Sequence, residues 1–151
     1  MVKHDNLLLQ NQLCFALYAA TNSVVRFYRN RLADVGLTYP QYLVLVVLWE
    51  RDAIPVNQIA ATLRLDSASI SPILKRLEAA GLLARHRPAH DERRLEIVLT
   101  DAGRDLQDRV AEIQHAVACQ TELDENEFFE LRGALMRLAD SMTAGDEDAV
   151  A

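Results

Sequence analysis

The sequence predicts a mainly α fold with a small β component (α+β): a helix-turn-helix with a basic hairpin behind it, flanked by long helices. Three observations carry this. Residues 56–80 hold two short helical patterns that meet at a tight turn. Residues 82–99 read as two strands around a charged connector. The flanks repeat apolar residues at helical spacing. Half of the 151 residues are apolar and a quarter charged, which suits a globular chain long enough to bury a core.

In chain order, residues 7–34 form a long helical pattern, with Leu9, Leu13, Leu17, Ala20 and Val24 on one stripe, broken near Gly36. Thr38-Tyr39-Pro40-Gln41 is a capping box with proline in the first turn, and it opens an apolar helix reaching Arg51. Val56, Ile59, Ala60 and Leu63 mark the next helix, and Arg64-Leu65-Asp66 the turn after it. Residues 67–80 place Ile70, Ile73, Leu74 and Leu77 on a buried stripe, and Gly81 ends that helix as a left-handed cap. Pro72 lies inside it and removes a backbone donor, which would suit a regular helix that starts later than Asp66. Strands follow at 82–87 and 95–99, joined by Pro88-Ala89-His90-Asp91-Glu92-Arg93-Arg94. Thr100-Asp101 caps a helix to about Cys119, with Leu106, Val110, Ile113 and Val117 on its stripe. Asp124-Glu125-Asn126-Glu127 is a second capping box, and its helix carries Phe128, Leu131, Leu135 and Leu138 to about Thr143. The acidic tail from Ala144 reads as frayed.

The outer face of the second short helix carries Ser67, Ser69, Ser71, Lys75 and Arg76. Small hydroxyls followed by cations are what a helix needs in a major groove, with donors for base edges and charge for phosphates. Together with the hairpin this is a winged helix-turn-helix over residues 53–100. The net charge of −6 is no objection once it is divided. Residues 1–63 hold five Lys/Arg against four Asp/Glu, residues 64–104 eight against six, and residues 105–151 three against twelve. The acid is C-terminal and the wing region mildly basic.

The flanking stripes, on residues 1–36 and 101–145, exceed what one winged domain can cover. A second copy would bury them and present two recognition helices to a palindromic duplex. The alternative is a self-contained helical cap on a monomer. No signal peptide is visible, and the longest apolar run, residues 43–49, is too short to span a bilayer. Two cysteines 105 positions apart are no secreted disulfide framework. A cytoplasmic chain without membrane attachment is expected.

The element order, Asp91-Glu92-Arg93-Arg94 in the wing and Leu99-Thr100-Asp101-Ala102-Gly103 after it resemble the MarR transcription regulators across nearly the whole chain. Asn11-Gln12-Leu13-Cys14-Phe15-Ala16-Leu17-Tyr18 is similar to the N-terminal segment of the OhrR branch, the organic-hydroperoxide-sensing repressors. The resemblance implies that Arg93 enters the minor groove at the wing tip, where narrow A·T-rich DNA concentrates negative potential. Asp91 would brace the wing through a cation such as Arg76.

Cys14 lies among Leu13, Phe15, Ala16 and Leu17, where a buried thiol is ordinarily inert. A helix beginning about two turns earlier would lend it no help from the dipole. The resemblance instead makes Cys14 the sensing thiol, supported by hydrogen bonds from two tyrosines at the positions of Tyr28 and Tyr39. Tyr28 is 14 residues beyond Cys14 on one helical pattern, about 21 Å along its axis. It therefore reaches only a partner's Cys14 in an antiparallel pair, while Tyr18, one turn away, is the nearer phenol of the same chain. In two-cysteine OhrR proteins a second cysteine resolves the first, which implies an intersubunit disulfide between Cys14 and Cys119.

His86, His90, Asp91 and Glu92 offer no clean ligand spacing, and no phosphate loop, nucleophile elbow or paired carboxylates appear. No metal, cofactor or enzymatic activity is expected. Three readings fit the residues: a homodimeric peroxide-responsive repressor; a repressor answering a small phenolic or apolar ligand with passive cysteines; and a thiol peroxidase using both cysteines. Response in Cys14→Ser separates the first two, and multiple-turnover peroxide consumption would support the third.

Overall fold

The computed structural model describes residues 3–87 and 95–150, with side chains through residue 144. The chain forms two compact units, residues 1–114 and 115–151.

In the first unit, two 3-10 turns precede helix α1 (Leu13–Leu32), which follows Gln12 without a side-chain cap. The helix therefore starts later than residue 7, because no Ser, Thr, Asp or Asn side chain holds an earlier turn. A 3-10 turn closes on Gly36 at φ 72°. Helix α2 (Tyr39–Glu50) opens as expected, with Gln41 Oε1 accepting from the Thr38 backbone N–H at 2.8 Å and from Thr38 Oγ1 at 3.0 Å. A two-residue strand β1 (Ile54–Pro55), absent from the sequence reading, leads into α3 (Val56–Thr62).

Helix α4 (Ser67–Ala79) starts directly after Asp66, whose carboxylate accepts from the Ser69 N–H at 2.6 Å. Pro72 neither delays nor ends it; the strong cap holds the first turn, and the missing N–H costs a single ladder bond. Gly81, at φ 72°, terminates it as expected. Strands β2 (Leu83–His86) and β3 (Glu96–Leu99) form the hairpin, and β3 is central in an antiparallel sheet ordered β1-β3-β2. The connector with Asp91 and Arg93 lies outside the described residues.

The core is one apolar cluster. Leu32, Leu45, Leu48, Ile59, Ile70, Leu74, Leu77, Leu83 and Ile97 are all at most 2% exposed, and they come from α1, α2, α3, α4 and the sheet. Three polar contacts join helix ends and connecting segments around the sheet. Trp49 Nε1 donates to the Gly103 carbonyl at 3.0 Å, Thr100 Oγ1 donates to the Gly81 carbonyl at 2.6 Å, and Arg104 pairs with Asp52. Thr100 also caps α5 (Asp101–Asp105) by accepting from the Gly103 N–H at 3.1 Å.

The expected single helix to Cys119 is interrupted at Leu106, after which α6 (Gln107–Gln120) runs into the second unit. There α7 (Glu125–Val150) is closed by the expected box, with Asp124 and Glu127 exchanging backbone-to-carboxylate bonds of 2.9 Å. It continues through the acidic stretch that the sequence suggested would fray. No single helix among the described residues is long and apolar enough to cross a membrane.

Candidate DNA interface and thiol sites

The exposed side of α4 carries the expected residues. Ser67, Ser69, Ser71, Lys75 and Arg76 are all solvent-facing, while Ile70, Leu74 and Leu77 are buried beneath them. The serines are not equivalent. The Asp66 carboxyl is held below the usual range, first by the Ser69 backbone N–H and then by the Ser69 hydroxyl. Ser71 Oγ donates to the Ser67 carbonyl at 2.7 Å, one turn back. The Ser71 hydroxyl thus spends its proton locally and offers its oxygen as an acceptor. Arg85 on β2 pairs with Glu78 on α4 at 3.1 Å, fixing the hairpin against the helix.

Cys14 lies in the first turn of α1, among backbone N–H groups without intrahelical partners, and its residue is exposed. Both premises of the sequence reading change: the helix starts one residue before Cys14, and the thiol is open within a single chain. It shares this open surface with Leu13, Phe15 and Tyr18. Tyr28 lies on the same unbroken helix, so the separation of about 21 Å stands and Tyr28 does not reach the thiol of its own chain.

Tyr28 and Tyr39 come together, with ring centroids 5.0 Å apart. Tyr42, which the sequence reading passed over, completes the group, stacked on Tyr28 at 5.2 Å and 5.8 Å from Tyr39. The signal was available, since residues three apart on α2 share a face. Burial, then hydrogen bonding to the Tyr42 hydroxyl, pushes the Tyr28 phenol well above its ordinary range; burial pushes Tyr39 up as well. Both remain protonated donors at neutral pH.

In the second unit Cys119 is the penultimate residue of α6, exposed and free, with His115 Nε2 3.7 Å from its sulfur. The apolar stripes expected at an interface are open in the single chain. Leu9, Leu13 and Val24 in front and Phe128, Leu131 and Leu135 on α7 are each at least 40% exposed, whereas Val110 and Val117 are buried.

Residues 26–110 match the family described as transcriptional regulator SarA/Rot. The chain is 45% identical to the HTH-type transcriptional regulator TtmR of Methylorubrum extorquens, over 90% of this chain and 70% of that protein. It is 36% identical to the organic hydroperoxide resistance transcriptional regulator of Bacillus subtilis, over 93% and 95%. Among solved structures, reduced AbfR bound to DNA superposes with TM-score 0.76 at 34% identity, covering 95% of this chain and 98% of that one. Disulfide-formed AbfR gives 0.64 at 37%, covering 92% of each. AbfR is a Staphylococcus epidermidis protein.

Proposed function

The chain belongs to the MarR/SarA-type winged-helix transcriptional regulators, which bind DNA, and from that membership we propose that it is a homodimeric repressor released from its operator by organic hydroperoxides. The observation that carries the reading is the Cys14 thiol, open on an apolar helix face and in the first turn of α1. A helix N-terminus favours negative charge, which the attacking thiolate carries before it meets the peroxide. Similarity to a hydroperoxide-resistance regulator, and to a relative known in both DNA-bound reduced and disulfide-formed states, supports the same chemistry.

The steps are these. The Cys14 thiolate attacks the terminal peroxide oxygen, the O–O bond breaks, and an alcohol leaves; the sulfur is oxidised to a sulfenic acid. Tyr39 of a partner, and Tyr28 of the partner once its hydroxyl turns from Tyr42, donate hydrogen bonds to that sulfur. Cys119 of the partner then displaces the hydroxyl, giving an intersubunit disulfide and water. Disulfide geometry demands Cα atoms within about 7 Å; where the reduced dimer holds Cys14 and the partner's Cys119 farther apart than that, closing the bond repositions the dimer helices and the α4 helices with them. In the reduced state Ser67, Ser69, Ser71, Lys75 and Arg76 face the major groove, and Arg93 enters the minor groove from a wing that Asp91 braces through a cation such as Arg76.

The test is binding of the purified protein to a palindromic duplex selected from random sequence, titrated with cumene hydroperoxide, with non-reducing electrophoresis of the same samples. DNA release with a dimer-mass band, both reversed by dithiothreitol, is expected. Release without the band reduces the mechanism to Cys14 alone. Unchanged binding overturns the peroxide reading.

A further inference from the structure

His115 and Cys119 stand one turn apart on α6, the spacing that stacks side chains on one helix face, and imidazole Nε2 lies 3.7 Å from the Cys119 sulfur. Both side chains are exposed, so neither is spent on packing. Cys119 sits at the negative pole of its helix, the opposite setting from Cys14 in the first turn of α1. A base that removes the thiol proton as the new bond forms supplies what that helix end does not.

Building on the two-cysteine reading above, we propose that His115 is the proton acceptor for Cys119 in the disulfide-forming step. The imidazole tautomer that carries its own hydrogen on Nδ1 presents the Nε2 lone pair to the thiol. Nε2 takes the proton, and the Cys119 sulfur attacks the sulfenic sulfur of the partner's Cys14. The S–O bond breaks, and the departing hydroxide takes the proton held by the imidazole, directly or through solvent, to leave as water and return the imidazole to its starting form. The Cys119 sulfur is oxidised and the Cys14 sulfur reduced by the same amount; the oxidising equivalent came from the hydroperoxide in the preceding step. His115 thereby governs how long the sulfenic acid survives, and so the balance between a reversible disulfide and over-oxidation by a second peroxide.

The experiment separates the two steps in the full-length protein. After a pulse of cumene hydroperoxide, sulfenic acid on Cys14 is trapped with dimedone and the disulfide is followed by non-reducing electrophoresis. A positioned base contributes about 100-fold or more to a proton transfer in a closed site; at this exposed thiol water takes protons too, so loss of the imidazole should slow the attack about tenfold. His115→Gln should form sulfenic acid as the wild type does, accumulate it, and close the disulfide about tenfold more slowly. In His115→Ala, added imidazole should restore the rate, which no packing role would allow. Equal disulfide rates in His115→Gln and wild type, or slow closure in His115→Ala that imidazole does not restore, overturn the role of His115 and leave the sensing reading intact. A wild-type protein that accumulates sulfenic acid without a disulfide overturns the attack by Cys119. One that forms no sulfenic acid overturns the redox reading itself, and His115 with it.

Discussion

Arg104 Nη2 lies 2.7 Å from Asp52 Oδ2, joining α5 to the end of α2 across 52 positions of sequence. The other carboxylate oxygen accepts from the Leu99 N–H at 2.9 Å and the Ala53 N–H at 2.8 Å. A single side chain thus fixes the last residue of β3, the entry to β1 and the last turn of α5. Asp52→Ala should destabilise the protein by about 2 kcal/mol, since hydrogen bonds to a charged acceptor contribute more than neutral ones. Asp52→Asn keeps an oxygen for the two backbone donors and loses only a part-exposed ion pair, so it should cost less than about 1 kcal/mol. Urea denaturation of the two variants checks the order; equal losses would mean that the ion pair, not the backbone bonds, dominates.

Gly103 has helical backbone and Gly81 a left-handed one, yet Gly103 should be the less replaceable. A Cβ at Gly103 would stand 2.1 Å from the Leu82 carbonyl oxygen, whereas one at Gly81 meets nothing within 4 Å. Gly81→Ala then costs only the left-handed conformation, about 1–2 kcal/mol. Gly103→Ala must push α5 off the hairpin, a strain of about 3 kcal/mol or more. Thermal denaturation should show the larger loss at Gly103, and the opposite order would refute the close approach.

These contacts mark where sequence reading stops. The capping boxes at Thr38 and Asp124, the stop at Gly81 and the stripe Ile70, Leu74, Leu77 were legible because each is written in neighbouring residues. The start of α1 was not, since Gln12 carries no cap and apolar periodicity runs on upstream of it. The two-residue β1 exists only because β3 lies beside it. Likewise the α4 serines were legible as an exposed row, but not the local bond that occupies the Ser71 hydroxyl. Tyr42 and His115 were within reach of the three- and four-residue spacing rule, yet their partners matter only once Tyr28 is folded against α2 and Cys119 is placed on α6.

The buried phenols predict an alkaline signature. Tyr28 and Tyr39 are held above the ordinary phenol range, by burial first and, for Tyr28, by the Tyr42 hydroxyl next. Raised values favour the neutral form in the folded state. The stabilisation is therefore complete below about pH 10, the unfolded value, and is lost as pH rises through the raised ones. Absorbance at 295 nm should show these phenols ionising late, together with unfolding seen by circular dichroism. Tyr42→Phe should bring the Tyr28 ionisation earlier, and an unmoved titration in that variant would contradict the contact.

Asp66 predicts the acid counterpart. Its carboxyl is held low mainly by the Ser69 backbone N–H. A depressed value contributes stability above the ordinary aspartate range, near pH 4, and loses it as pH falls through the folded value. Asp66→Asn keeps a capping oxygen without a titrating group. As pH falls from about 4 through the lowered folded value, the wild type should lose more stability than Asp66→Asn. Parallel acid curves for the two proteins would sink this account.

The outward face of α4 makes a prediction about DNA that separates charge from hydroxyl. Lys75 is exposed and on the same side of the helix as Ser67 and Ser71. If its ammonium neutralises one phosphate, Lys75→Ala should weaken binding to all duplexes and flatten the dependence of affinity on salt by about one counterion. Ser71 is different, because its proton is held by the Ser67 carbonyl, leaving the oxygen to accept from a base edge such as an exocyclic amine. Ser71→Ala should leave the salt slope unchanged and lower affinity only where the operator offers that donor, by about 1–3 kcal/mol against a mismatched base. Fluorescence anisotropy across a salt series, on the selected operator and on single-base variants of it, reads both effects. A salt slope that falls in Ser71→Ala, or an operator preference that changes in Lys75→Ala alone, would mean that the recognition helix sits in the groove rotated from the face described.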